Sequence, residues 1–175
     1  MESMKTLSSD KKIARIAVDA SLAGVALLLS MVEALFPIAA LPLPGFKLGL
    51  ANIAITVAAF RYSYVDAAAV SLVRVIITFL LFGSPTSLLF SLMGGTLVII
   101  TLLLIRKTKL SRQLSFVGVS LLCALAHNAG QLIASTWLVG SAVISYIPAL
   151  SAASLIYGTI NGIILCLLPN KIYKR

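Results

Sequence analysis

The chain's 175 residues are 60% hydrophobic and only 11% charged, with a mean hydropathy of +1.08. A soluble domain of this length has too little interior to hide that much apolar surface, so composition excludes a soluble fold and points to an integral membrane protein. The net charge of +9 does not signal nucleic acid, because the basic residues flank apolar runs without forming a patch or a known binding motif.

Hydropathy divides the chain into six spans, and the fold class expected is an all-α integral membrane protein of one domain, residues 1–175. The spans cover about 13–35, 47–60, 66–81, 88–105, 116–139 and 147–168. The first follows a basic N-terminus but is too long for a signal-peptide core, and further spans follow it. The second and third fall short of the roughly 20 residues a straight helix needs to cross the hydrocarbon. Short segments of this kind suggest a thin bundle, a re-entrant start, or unwound backbone lining a cavity.

The basic residues support this division. Lys5, Lys11, Lys12 and Arg15 precede the first span, Arg61 separates the second and third, Arg106, Lys107, Lys109 and Arg112 separate the fourth and fifth, and Lys171, Lys174 and Arg175 follow the sixth. With both termini cytoplasmic, these twelve of fourteen basic residues lie inside, and the outer loops FPIAALPLPG, FGSPTS and GSAVISY carry no charge. Trp137 and Tyr146 fall near the outer interface. Cys123 and Cys166 lie in apolar runs without disulfide or metal spacing and read as packing residues.

Lys47 and Arg74 do not fit the topology rule. A charge near the bilayer centre costs a few kcal/mol on insertion scales, about 2.5–3.5 for Arg, Lys or Asp, so each intramembrane ionisable group is a site hypothesis. The alternatives are snorkelling, an interhelix ion pair or interhelix hydrogen bonds. The first span aligns Asp19, Ala23, Ala26, Ser30 and Glu33 on one face. The third aligns Ser71, Arg74 and Thr78, the fifth Ser120, Ala124, His127, Gln131 and Ser135 with Asn128 beside them, and the sixth Ser151, Ser154, Gly158 and Asn161. Four polar stripes imply a shared interior. By helical rise, Arg74, His127 and Asn128 lie near mid-membrane, Gln131 further out, Glu33 near the outer end, and Lys47 and Asn52 in the outer part of the second span. The expectation is a cavity open to the outside and floored at Arg74 and His127. Asp19, near the inner end, is expected to pair with cytoplasmic basic residues or a partner subunit.

The individual readings stay open. Lys47 either snorkels or contacts a ligand; Arg74 either pairs with Glu33 or a backbone carbonyl or binds a ligand; Asn52 and Asn161 are either helix glue or ligand contacts. Gly94 and Gly95 in SLMGGT permit close helix approach.

The motifs PGFKLGLAN, SLVRVII, LLFGSPTSLLFSLMGG and VSLLCALAHNAGQL, in that order, resemble the small membrane family called Gx transporters, also labelled heptaprenyl diphosphate synthase component I. That family resembles the six-helix S components of energy-coupling factor transporters. The resemblance implies an S-component-like bundle in a bacterial cytoplasmic membrane that captures a micronutrient and works with a coupling transmembrane subunit and two ATPase subunits. It further implies a helix-one contact with the coupling subunit through small residues four apart, matched by Ala17 with Ser21 and Ala20 with Gly24. The chain lacks a GxxxxGK[ST] loop, so energy would come from partners.

Prenyl diphosphate chemistry needs carboxylates to hold Mg²⁺. The five acidic residues, Glu2, Asp10, Asp19, Glu33 and Asp66, include no adjacent pair and no DDxxD motif, so catalysis by this chain alone is not expected and no cofactor is called for. The leading expectation is a binding module with membrane lipid around it. Lys47, Arg74 and His127 would supply positive charge or donors, Asn52, Asn128 and Gln131 orientation, and Glu33 would hold the cations; the ligand would be small, polar or anionic, with an apolar part. One alternative is a non-catalytic membrane accessory subunit of a prenyl diphosphate synthase, docking through the loop RKTKLSRQ. The other is a stand-alone secondary transporter with Glu33, Asp19 and His127 as a proton path.

Overall fold

In the computed structural model, residues 2–35, 47, 49–108, 110 and 113–169 are described, with the backbone alone for 2–9, 11, 34 and 35. Among the described residues, six α-helices form: α1 Glu2–Leu35, α2 Asn52–Arg61, α3 Tyr64–Phe82, α4 Pro85–Lys107, α5 Phe116–Val139 and α6 Ile147–Leu167. A short 3-10 helix, Ser141–Tyr146, leads into α6. Among the described residues, five helical stretches are long and apolar enough to cross a membrane.

The boundaries differ from the expected spans where local chemistry overrides hydropathy. The first helix starts at Glu2 and not at 13, because no glycine or proline interrupts the polar N-terminal stretch; only its part from Lys12 to Glu33 is apolar enough to span. The fourth starts at Pro85 and not at 88: Ser84 accepts from the Ser87 amide at 3.3 Å, and Pro85 takes the first turn, where its missing N–H costs nothing. The second starts at Asn52 and not at 47, because Gly49 has φ +87°, a left-handed conformation that ends helical continuity.

At ten residues, α2 is about 15 Å long. It is too short to cross a bilayer alone as a helix, as the length of the second span implied. Its two ends nevertheless reach the two ends of α1's apolar part. Before α2, the Leu50 amide donates to Glu33; after it, Ser63 accepts from Arg15 at 3.0 Å. Eighteen residues of α1 separate Arg15 from Glu33, about 27 Å. The non-helical lead-in and α2 therefore run antiparallel to α1 over comparable height. The pass is broken: unwound backbone first, helix second.

The bundle is polar inside and apolar outside. Sixteen polar or charged side chains are buried among the described residues, whereas Leu80, Trp137, Ile156 and Leu167 are exposed. That inversion suits lipid as solvent. Packing centres on α2, which touches every other helix and buries eight of its ten residues, five of them alanine or isoleucine in the run Ile53–Ala54–Ile55 and at Ala58 and Ala59. α5 lies between α4 and α6, and α3 between α1 and α4. Glycines set two of these approaches. A Cβ on Gly130 would fall 2.5 Å from the Met93 carbonyl oxygen, and one on Gly162 would overlap Val117 Cα.

The interior has two levels. Toward the Arg61 end of α2, Ala23, Ala26, Ala54, Ile55, Ala58, Val98, Leu102 and Cys123 form an apolar core. Toward its Asn52 end the buried residues are polar. Loop residues 36–46 and 48, where the outer mouth of the expected cavity falls, lie outside the described residues.

Candidate functional site

The lead-in to α2 organises the polar level. The Lys47 amide donates to Gln131 Oε1 at 2.9 Å, and Gln131 Nε2 donates to the Lys47 carbonyl at 2.8 Å, so one side-chain amide satisfies both polar groups of one peptide residue. The Gly49 carbonyl accepts from Asn161 Nδ2 at 3.1 Å. Glu33 accepts from the Leu50 amide through one oxygen; its other oxygen is buried with no hydrogen-bond partner among the described residues. Helices α1, α5 and α6 thus hold unwound backbone at membrane depth, supplying the hydrogen bonds that lipid cannot.

Around that backbone stand the costly side chains. Arg74 on α3 is 2% exposed, and its Nη1 donates to Ser30 on α1 at 3.0 Å. Its Nε and Nη2 have no hydrogen-bond partner among the described residues. Arg74 and Lys47 both act electrostatically on Glu33, and both act on His127. His127 on α5 is 1% exposed and fills a slot between two glycines. A Cβ on Gly94 would fall 2.6 Å from its Nδ1, and a Cβ on Gly49 would fall 3.3 Å from its Cδ2. Neither ring nitrogen makes a hydrogen bond of normal geometry among the described residues, although the Gly94 backbone acts on the ring. Asn52, at the start of α2, is 4% exposed, and both ends of its amide lack partners among the described residues.

Six of the seven residues singled out from sequence as ligand contacts, Glu33, Lys47, Asn52, Arg74, His127 and Gln131, therefore belong to one connected polar level. Two amides have more definite positions than the sequence allowed. Gln131 is engaged by the Lys47 backbone. Asn128 faces α6, donating to the Leu150 carbonyl at 3.2 Å and Ser154 Oγ at 2.7 Å. With Leu125, Ala129, Leu132, Ile147, Leu150, Ser151 and Ser154 it lines a groove of about 350 Å³ between α5 and α6. Gly94 does more than allow helices to approach, because its missing side chain is the space the His127 ring occupies.

Sequence reasoning left three residues out of the site. Ser30 anchors Arg74; it lay on the first polar stripe, three residues before Glu33, and the stripe was its signal. Asn161 holds the lead-in at Gly49, and its Oδ1 has no partner among the described residues. Ser91, buried on α4 beside Val75 and Thr78, also keeps an unpartnered hydroxyl among the described residues, and no spacing signal marked it.

At the opposite end, Asp66 takes the partner expected for Asp19. Arg15 donates through Nε to Asp66 Oδ1 at 3.0 Å and through Nη2 to Oδ2, while Asp19 stands beside the pair with Oδ1 unpartnered among the described residues. The small residues Ala17, Ala20, Ser21 and Gly24 form an exposed strip on α1, and nothing lies within 4 Å of where a Gly24 Cβ would be.

Comparison with known proteins gives one family. No curated protein and no solved structure matches the chain. A family model described as heptaprenyl diphosphate synthase component I matches residues 22–168, a stretch that contains the unwound lead-in, α2 and every side chain of the polar level. On that match, the chain belongs to the heptaprenyl diphosphate synthase component I family.

Proposed function

We propose that the chain is a substrate-binding membrane component of an uptake transporter, of the S-component type, and not an enzyme. The observation that carries the reading is the convergence of unpartnered polar atoms from Glu33, Asn52, Arg74 and His127, among the described residues, on one buried level held by four helices and a broken pass. Buried polar groups in native proteins almost always have partners, and a cluster that lacks them is the signature of a place built to receive some. Half-unwound passes with polar backbone serve that purpose in membrane transporters. The ligand would enter from the outer side, with both termini cytoplasmic, and the apolar core below would close the inner side.

Transport would then depend on partners. The exposed strip Ala17, Ala20, Ser21 and Gly24 offers a close-packing face for a coupling transmembrane subunit, itself served by two ATPase subunits. The family description favours a second reading, in which this chain is a non-catalytic membrane accessory subunit of a prenyl diphosphate synthase, docked through the basic 106–113 loop. A proton path through Asp19, Glu33 and His127 has less support. Asp19 lies fourteen residues, about 21 Å, along α1 from Glu33, with the buried apolar residues Ala23 and Ala26 between them.

The test is purification of the intact protein from its native membrane in mild detergent, with mass spectrometry of both the proteins and the small molecules that accompany it. A coupling subunit, an ATPase pair and a bound small molecule are expected. Arg74→Ala and His127→Ala should each lose the small molecule while still inserting. Recovery of a prenyl diphosphate synthase with no small molecule would replace this reading by the second.

A further inference from the structure

We infer that the group Arg74 receives is a single carboxylate of the bound ligand, gripped side-on by its Nε–H and Nη2–H. The inference rests on the binding reading above and names the chemistry of the same site.

A guanidinium offers two parallel N–H bonds on the edge formed by Nε and Nη2, and that edge matches the two oxygens of a carboxylate. Among the described residues, Arg15 displays the match. Arg15 gives Nε to one oxygen of Asp66 and Nη2 to the other. Arg74 has the same edge arranged differently: Nη1 is tied to Ser30 at 3.0 Å, and Nε and Nη2 are the two atoms without partners among the described residues. The Ser30 bond restrains the guanidinium, and Arg74 is 2% exposed, so the edge stays inside the bundle and is not free to reach the headgroups. A side chain serving only as helix glue would spend this edge on a carbonyl or on Glu33.

Charge selects among anions. The polar level contains two cations, Lys47 and Arg74, and one anion, Glu33, which act on one another electrostatically. With Glu33 ionised and His127 neutral, the sum is +1, and one negative charge completes it. A monocarboxylate brings that charge. Phosphate monoesters and diphosphates bring more, and would bury an excess of negative charge in a low-dielectric interior. The unpartnered Glu33 oxygen and the Asn52 amide, among the described residues, are then left for neutral donors and acceptors on the rest of the ligand.

The experiment uses the full chain in lipid nanodiscs with four probes: acetate, its neutral isostere acetamide, inorganic phosphate and diphosphate, at constant ionic strength. Thermal unfolding and the arginine Nε–H resonances of ¹⁵N-labelled protein are followed. Acetate should raise the unfolding temperature and shift one Nε–H resonance downfield, the one missing from Arg74→Lys; acetamide, phosphate and diphosphate should do neither. Stabilisation by acetamide equal to that by acetate overturns the inference, as does preference for phosphate or diphosphate, or acetate moving no Nε–H resonance at the highest concentration the protein tolerates. These readings use unaltered protein, so they stand even if Arg74→Lys fails to fold. A neutral molecule recovered from the native membrane would refute the carboxylate and leave the binding module intact. A prenyl synthase with no bound molecule would refute the module itself.

Discussion

Among single residues, Gly130 and Gly24 show how differently one atom weighs in this fold. A Cβ at Gly130 meets backbone, the Met93 carbonyl oxygen at 2.5 Å and Gly94 Cα at 2.8 Å, so only a shift of α4 against α5 makes room. Gly24 faces open surface with nothing within 4 Å. Gly130→Ala should destabilise the bundle by about 1–3 kcal/mol, the usual cost of overpacking. Gly24→Ala should be neutral or slightly stabilising, since alanine favours a helix interior by about 1 kcal/mol over glycine. Thermal unfolding of the two variants side by side checks the ordering, and equal effects would contradict the close α4–α5 approach. The glycines in SLMGGT were legible as helix-packing residues, because small residues recur where membrane helices approach; Gly130, across the same interface, was not singled out. That Gly94 makes room for the His127 ring was not legible: it depends on which face of α4 meets which turn of α5, and spacing within one helix carries no such information. The same limit applies to amides. Helical periodicity put Gln131 and Asn128 inside the bundle, yet it is their neighbours across the interface, the Lys47 backbone for one and Ser154 for the other, that decide what they do.

The telling element is the broken second pass. Hydropathy found a short span there, and a lysine, glycines and an asparagine hinted at unwound backbone; the start of the helix at Asn52 was missed because hydropathy is blind to the sign of φ at Gly49. The lead-in is kept in place by side chains from three helices, Glu33, Gln131 and Asn161. If those bonds and not the lead-in's own stiffness order it, then Gln131→Leu should loosen it. Two hydrogen bonds to Lys47 vanish, each worth about 0.5–1.5 kcal/mol net. Local opening should become roughly tenfold more frequent or more, at about 1.4 kcal/mol per factor of ten. Hydrogen exchange across 47–51 in nanodiscs would register this as faster uptake, while the amides of α3 and α4 keep their rates. Unchanged exchange in the lead-in would mean that Gln131 is not its clamp.

For the molecule as a whole, the question is which way up it sits. The Arg15–Asp66 pair, Arg61, and Arg106 stacked 5.2 Å over the Tyr64 ring lie at one end, away from Lys47 and Arg74 in the polar level. The other end carries Gly83–Ser84 and the 3-10 helix Ser141–Tyr146, all uncharged. Positive charge is retained on the cytoplasmic side during insertion. The Arg15 end should therefore face the cytoplasm and the polar level should open outward, which is the arrangement that capture from outside requires. Ser141 and Thr108 are exposed at opposite ends of the bundle, and Cys123 is buried, so single cysteines report the orientation once Cys166 is changed to serine. In intact cells, Ser141→Cys should react with a membrane-impermeant maleimide, and Thr108→Cys should react only after permeabilisation. The reverse pattern would turn the apolar core toward the outside and the polar level toward the cytoplasm. Arg74 and His127 would then be reachable only from within, and a role in uptake would fall while their convergence in the bundle still stood.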